Sequence, residues 1–187
     1  VWLGTDALAI EILRKVPGLE SKELEWLTVL ARSGARSVRV LNPVGMLAAK
    51  AWNVANIHKE GRHDIEQLFA AVVCVRRFLG DLFGLVQADA SITRPVLNLV
   101  QRVLVLAESR LGESVTRRCG LNWSWAVPWK AISKTDSTPI RRLRERRLPG
   151  WLQQVSQYGF DGTLSRGQTD LREICQRFAE AVPIGTP

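Results

Sequence analysis

The chain has 187 residues, 46% of them hydrophobic, and carries a formal net charge of +8. That length and apolar share fill a full-sized core and exclude a wholly disordered chain, while the longest apolar run, Ala70 to Val75, is too short to span a bilayer. Three cysteines, Cys74, Cys119 and Cys175, without C-x-x-C spacing, argue against a disulfide framework or a zinc knuckle, and with no basic-then-apolar leader at its start the chain reads as soluble and cytoplasmic, without a membrane partner.

In chain order, the run Leu8 to Leu13, broken only by Glu11 and followed by Pro17-Gly18, predicts a strand. Ser21 as N-cap, with Leu24, Leu27, Leu30 and Ala31 at helical spacing, predicts a short amphipathic helix. The alternating stretch RSVRVL, from Arg36, predicts a half-buried strand. At Asn42-Pro43 the period changes, and Val44, Leu47, Ala48, Ala51 and Ala55 form one helical stripe, with Lys50 and Asn53 off it and beside each other. A polar loop, HKEGRHD, precedes a long second helix patterned on Ile65, Leu68, Phe69, Val72, Leu79 and Phe83. A third helix begins near Thr93-Arg94-Pro95 and runs to Leu111, close to Gly112. Trp123, Trp125 and Trp129 then cluster around Pro128, followed by a basic helical piece, a break at Pro149-Gly150, another turn or two of helix, and a last helix over Thr169 to Val182. The fold class is α+β, mostly α: short strands at the N-terminus packed on a helical bundle.

The charge is uneven. Between Arg117 and Arg147 nine basic residues face only Asp136 and Glu145, an excess of seven. Such a field attracts phosphate-bearing partners whatever the fold beneath it, or is simply a solvated face.

The segments VRVLNPVGMLAAKAWNVANI, KEGRHDIEQL and FAAVVCVRRFLGDLF resemble the later part of bacterial nucleotidyltransferase-like proteins of the AbiEii toxin type, in which a strand ending near a proline feeds a helix with an inward lysine. The resemblance implies a partial nucleotidyltransferase-like α/β region over residues 1–60, with the N-terminal strands as the remnant of its sheet, and a helical C-terminal region over 61–187. It also implies transfer of a nucleoside monophosphate from a nucleoside triphosphate, with magnesium ions (Mg2+) held by carboxylates. On that likeness Glu11 matches a catalytic carboxylate, and Lys50 with Asn53 the nucleotide-binding face. A toxin-antitoxin or defence role with an antitoxin-like protein as partner follows from the same source.

The sequence departs from that family where the chemistry is heaviest. The Gly-Ser turn followed by an Asp-x-Asp strand is missing, and the pairs Glu23/Glu25 and Asp64/Glu66 lie on or beside predicted helices, where residues two apart point about 200° away from each other. Activity is therefore open: the chain reads as an incomplete or inactive transferase, and the opening Val1 with a single internal Met46 is compatible with a piece of something longer. Lys50 also suits an ordinary role, its stem packed and its ammonium reaching water. His58, His63 and Asp64 lack the spacing of metal ligands. The alternative function is a non-catalytic basic helical module that binds nucleic acid or an acidic partner through Arg141, Arg142, Arg144, Arg146 and Arg147, with the tryptophans as base-stacking platforms or, in the simpler reading, as core anchors.

Overall fold

The computed structural model describes residues 16, 18–33, 36–57 and 63–180. The predicted strand over Leu8 to Leu13, Glu11 included, lies outside these residues. Within them the protein is mostly helical, with one two-stranded antiparallel sheet near the N-terminus: β1 is Thr28–Ser33 and β2 is Arg36–Leu41, with Val29 opposite Val40 and Ala31 opposite Val38.

The first strand corrects the sequence reading. Only Ser21–Glu23 winds, as a single 3-10 turn fixed by the Glu20 N–H on Glu23 Oε2 at 3.0 Å, and from Thr28 the chain is extended. The reason is pairing: β2 is a strand by its own alternation, its backbone groups need a partner, and among the described residues TVLARS is the one that supplies it. The apparent helical stripe dissolves accordingly, with Leu27 buried and Leu30 exposed.

Asn42 turns hairpin into helix. Its side-chain oxygen accepts the Gly45 N–H at 2.9 Å, its Nδ2 donates to Trp26 O at 3.0 Å, and its own N–H reaches Leu27 O at 2.8 Å. One residue thus caps α1 (Pro43–Asn56), whose Pro43 needs no hydrogen-bond partner in the first turn, and ties it to the chain before β1. Buried Val44, Leu47, Ala48, Ala51 and Val54 pack this helix against α2 (Asp64–Ala88).

The predicted third helix is two. Ser109 leaves helical geometry between α3 (Thr93–Glu108) and α4 (Arg110–Cys119), and its hydroxyl accepts the Gly112 N–H at 3.1 Å as a new N-cap. The α4 helix ends on Gly120 in the left-handed region, φ 65°, where glycine carries no Cβ penalty. Trp123 and Trp151 are fully buried and spend their indole N–H groups on Gly112 O and Leu104 O, at 3.1 and 3.2 Å. They are core anchors.

After α5 (Trp129–Lys134), the helix α6 (Thr138–Arg142) continues through one π turn, Leu143–Arg147, into α7 (Leu148–Val155). No break occurs at Pro149-Gly150. The Leu148 N–H donates to Leu143 O, five residues back, and this wider turn lies directly before Pro149, which has no N–H and whose ring crowds the preceding turn of an α-helix. The last helix, α8 (Arg166–Glu180), packs on α2 and begins a few residues before the predicted start. A single hydrophobic cluster runs from Leu19 to Cys175, so residues on both sides of position 60 share one core. No described helix is long and apolar enough to cross a membrane.

Candidate nucleic-acid interface

Lys50 and Asn53 do come together, and the group they meet is a carboxylate. Both lie on the side of α1 that faces the start of α2. Lys50 Nζ donates to Gln67 Oε1 at 2.5 Å and lies 3.8 Å from Asp64 Oδ1, while Asn53 Nδ2 donates to the same Oδ1 at 3.2 Å. Asp64 is buried in the first turn of α2, where the helix dipole favours its negative charge. The lysine's charge is thus answered within the fold, in a polar knot that pins the two helices.

The fit of this knot to a nucleoside triphosphate with magnesium is poor. Asp64 is a single carboxylate already engaged by two side chains, a two-metal site needs several acidic oxygens on rigid supports, and the described residues contain no group of three His, Cys, Asp or Glu able to hold a metal ion. Glu11 and His58 lie outside the described residues; His63 is exposed just ahead of α2.

The basic segment divides in space. Arg117 pairs with Glu113 at 2.5 Å on the exposed surface of α4, and Arg118 donates to Val54 O, tying α4 to α1. Arg147 is likewise committed: its guanidinium grips both oxygens of Glu108, Nη1 to Oε1 at 2.7 Å, and that contact holds its pKa above the ordinary arginine value. Arg144 donates to Ser133 O at 3.3 Å and lies 3.5 Å from Glu145.

Arg141, Arg142 and Arg146 are different. They are exposed, and among the described residues their side chains form no ion pair or hydrogen bond. The opposite side of the same helix buries Ile140, Leu143, Leu148 and Trp151, which fixes the arginine face outward. The contact from Arg144 to Ser133 sets this face beside the end of α5, where Lys130 and Lys134 line a concavity of about 300 Å3 together with Arg76 and Arg77 of α2. The result is a basic strip from the arginine helix across α5 to α2.

Sequence reasoning found the arginine run but not its continuation. Arg76-Arg77, two cations inside an apolar helical stretch, was the available signal; that they face Lys130 and Lys134, some fifty positions on, is a property of packing alone. The comparisons give no relative to lean on: no protein-family model, no curated protein and no solved structure matches the chain.

Proposed function

We propose that the protein is a non-catalytic basic helical module that binds nucleic acid through its phosphate backbone. The observation that carries the reading is the set of three exposed arginines, Arg141, Arg142 and Arg146, held on the outward face of one helix that is anchored by a buried tryptophan and continued by two lysines. Phosphates ask only for positive charge at suitable positions, and counterions released from the strand drive the association. Base stacking has little support, since Trp123 and Trp125 are buried and Trp129 spends its indole N–H on Ser124 O at 3.0 Å.

An acidic protein is the weaker fit. Protein interfaces gather around buried apolar or aromatic anchors, and none of the large hydrophobic side chains exposed on this molecule falls between Val127 and Val155. The transferase reading depends on Glu11, outside the described residues, and on a lysine whose ammonium already meets Asp64.

Fluorescence anisotropy with a labelled duplex tests the proposal. Replacing Arg141, Arg142 and Arg146 by glutamine is expected to lower affinity by about tenfold or more at low salt and to make the slope of log K against log salt shallower by roughly two to three. Unchanged affinity and slope, with an unchanged circular-dichroism spectrum, would remove these arginines from any interface.

A further inference from the structure

We infer that the β1–β2 hairpin is a second nucleic-acid contact, an arm that lies in the major groove of duplex DNA. The inference rests on the nucleic-acid reading above and narrows it to one kind of duplex.

The arm is basic by sequence. From Thr28 to Leu41 the chain holds Arg32, Arg36 and Arg39 and neither Asp nor Glu, an excess of three positive charges. The pairing register then sorts the side chains. Arg39 stands opposite Leu30 and Arg32 opposite Ser37, so Arg32 and Arg39 are diagonal neighbours on one face, together with Thr28 and Ser37, at a spacing of roughly 7–8 Å. The other face carries Val29, Ala31, Val38 and Val40.

Among the described residues no carboxylate answers either arginine. Arg32 is exposed, and its side chain forms no ion pair or hydrogen bond there. Arg39 is exposed as well and donates to the Thr28 hydroxyl at 3.2 Å, a neutral partner that aims the guanidinium and leaves its charge intact. The nearest acidic residues in the sequence precede the hairpin. Of these, Glu20 pairs with Lys22 at 2.8 Å and Glu23 with Arg102 at 2.7 Å, while Glu25 is exposed.

Shape points the same way. β1 packs on β2, and β2 meets α1 at the base of the hairpin, where Leu41 lies against Gly45, while Val29, Leu30 and Val40 are 47%, 59% and 37% exposed. Two six-residue strands with their side chains make a ribbon roughly 10 Å wide and 20 Å long, and the major groove of B-form DNA, about 12 Å wide, admits such a ribbon. With the Arg32 and Arg39 face turned to the base pairs, the guanidinium groups reach guanine O6 and N7 or the flanking phosphates. The deep, narrow major groove of duplex RNA does not take it.

A second copy of the chain is the poorer occupant. The apolar face offers four small side chains over roughly 200 Å2, far below the ~800 Å2 that each partner gives to a stable interface. The arm is also linked to the arginine helix. Trp26, just before β1, and Val105 of α3 line one concavity, and Glu108, three residues further along α3, holds Arg147. Both basic elements are thus braced against the same half of α3.

Fluorescence anisotropy compares one labelled sequence as duplex DNA and as duplex RNA, and dimethyl sulfate footprinting reads access to guanine N7 in the groove. The wild-type protein is expected to bind duplex DNA about fivefold or more tightly than duplex RNA and to protect guanine N7. Arg32→Gln combined with Arg39→Gln, with an unchanged circular-dichroism spectrum, is expected to lower duplex-DNA affinity about tenfold, to make the salt slope shallower by roughly two, and to remove both the preference and the footprint. Unchanged affinity of that variant, equal binding of the two duplexes, or an open guanine N7 in the wild-type complex overturns the inference. So does a protein that sediments as a dimer and binds DNA regardless of the two arginines, which assigns the apolar face to a second copy. Should neutralising Arg141, Arg142 and Arg146 change nothing while the hairpin variant loses binding, the arm stands and the arginine helix falls; no binding to either duplex removes both.

Discussion

Cys119 and Cys175 look like Cys74 in the sequence, and the fold separates them. Cys74 is exposed, while burial pushes the thiols of Cys119 and Cys175 up to about 11. A thiol reagent added to the native protein is therefore expected to modify Cys74 alone, with the other two reacting only in denaturant; modification of all three at comparable rates would contradict the burial. A raised thiol pKa also has a sign in stability. The unfolded chain begins to ionise near the ordinary thiol value of 9.0, and the folded protein holds the Cys119 proton until about 11. Stability from this group is whole below the first value and is lost as pH rises through the second, by about 2–3 kcal/mol. Urea unfolding between those pH values is expected to show this decline, and Cys119→Ala to flatten it, at the expense of a lower baseline from lost packing. At this scale the sequence was informative about Lys50 and Asn53, which are neighbours as their spacing required. It was silent about Asp64, because that contact crosses a loop to another helix.

Helices with strong stripes were readable; their joints were not. The patterns of α1 and α2 follow from burial of one face, and both helices appear where the spacing put them. Three other features depend on information outside the local period. TVLARS is a strand because β2 needs a partner, the chain breaks at Ser109 because a hydroxyl offers a new cap, and the helix passes Pro149 because one π turn precedes it. The joint at Ser109 makes a testable demand on Gly112. A Cβ there would stand 2.4 Å from both Ala107 O and Leu106 O, backbone atoms that cannot rotate away. Gly112→Ala is expected to destabilise the protein by about 2–3 kcal/mol, as overpacking does, even though alanine is the better helix former. Gly84, in the interior of α2, has open space where a Cβ would be. There the same substitution is expected to stabilise by roughly 0.5–1 kcal/mol. Chemical denaturation of the two variants reads both signs, and a loss at Gly84 matching that at Gly112 would show that helix propensity, not close approach, governs these sites.

For the whole molecule, the consequential fact is how the fold sorts its positive charge. A count of residues treats Arg146 and Arg147 as equivalent, and no motif in the sequence parts them; the structure sends one outward and clamps the other on Glu108. That clamp joins the arginine helix to the end of α3, as the ion pair between Arg102 and Glu23, at 2.7 Å, joins α3 to the turn before the hairpin. Both pairs are at least partly shielded from water, so removing one partner leaves a charge without its counterpart and costs more than a surface pair does. Arg147→Gln is therefore expected to lower the unfolding free energy by about 1–3 kcal/mol, and Glu108→Gln by a similar amount, with the double variant falling short of the sum because the two changes remove one interaction. Arg146→Gln is expected to leave stability within about 0.5 kcal/mol of the wild type and to weaken nucleic-acid binding. Measuring both quantities on each variant separates the roles. Should Arg147→Gln weaken binding without lowering stability, the clamp on Glu108 would be the dispensable contact, and the outward face of the helix would have to be redrawn to include Arg147.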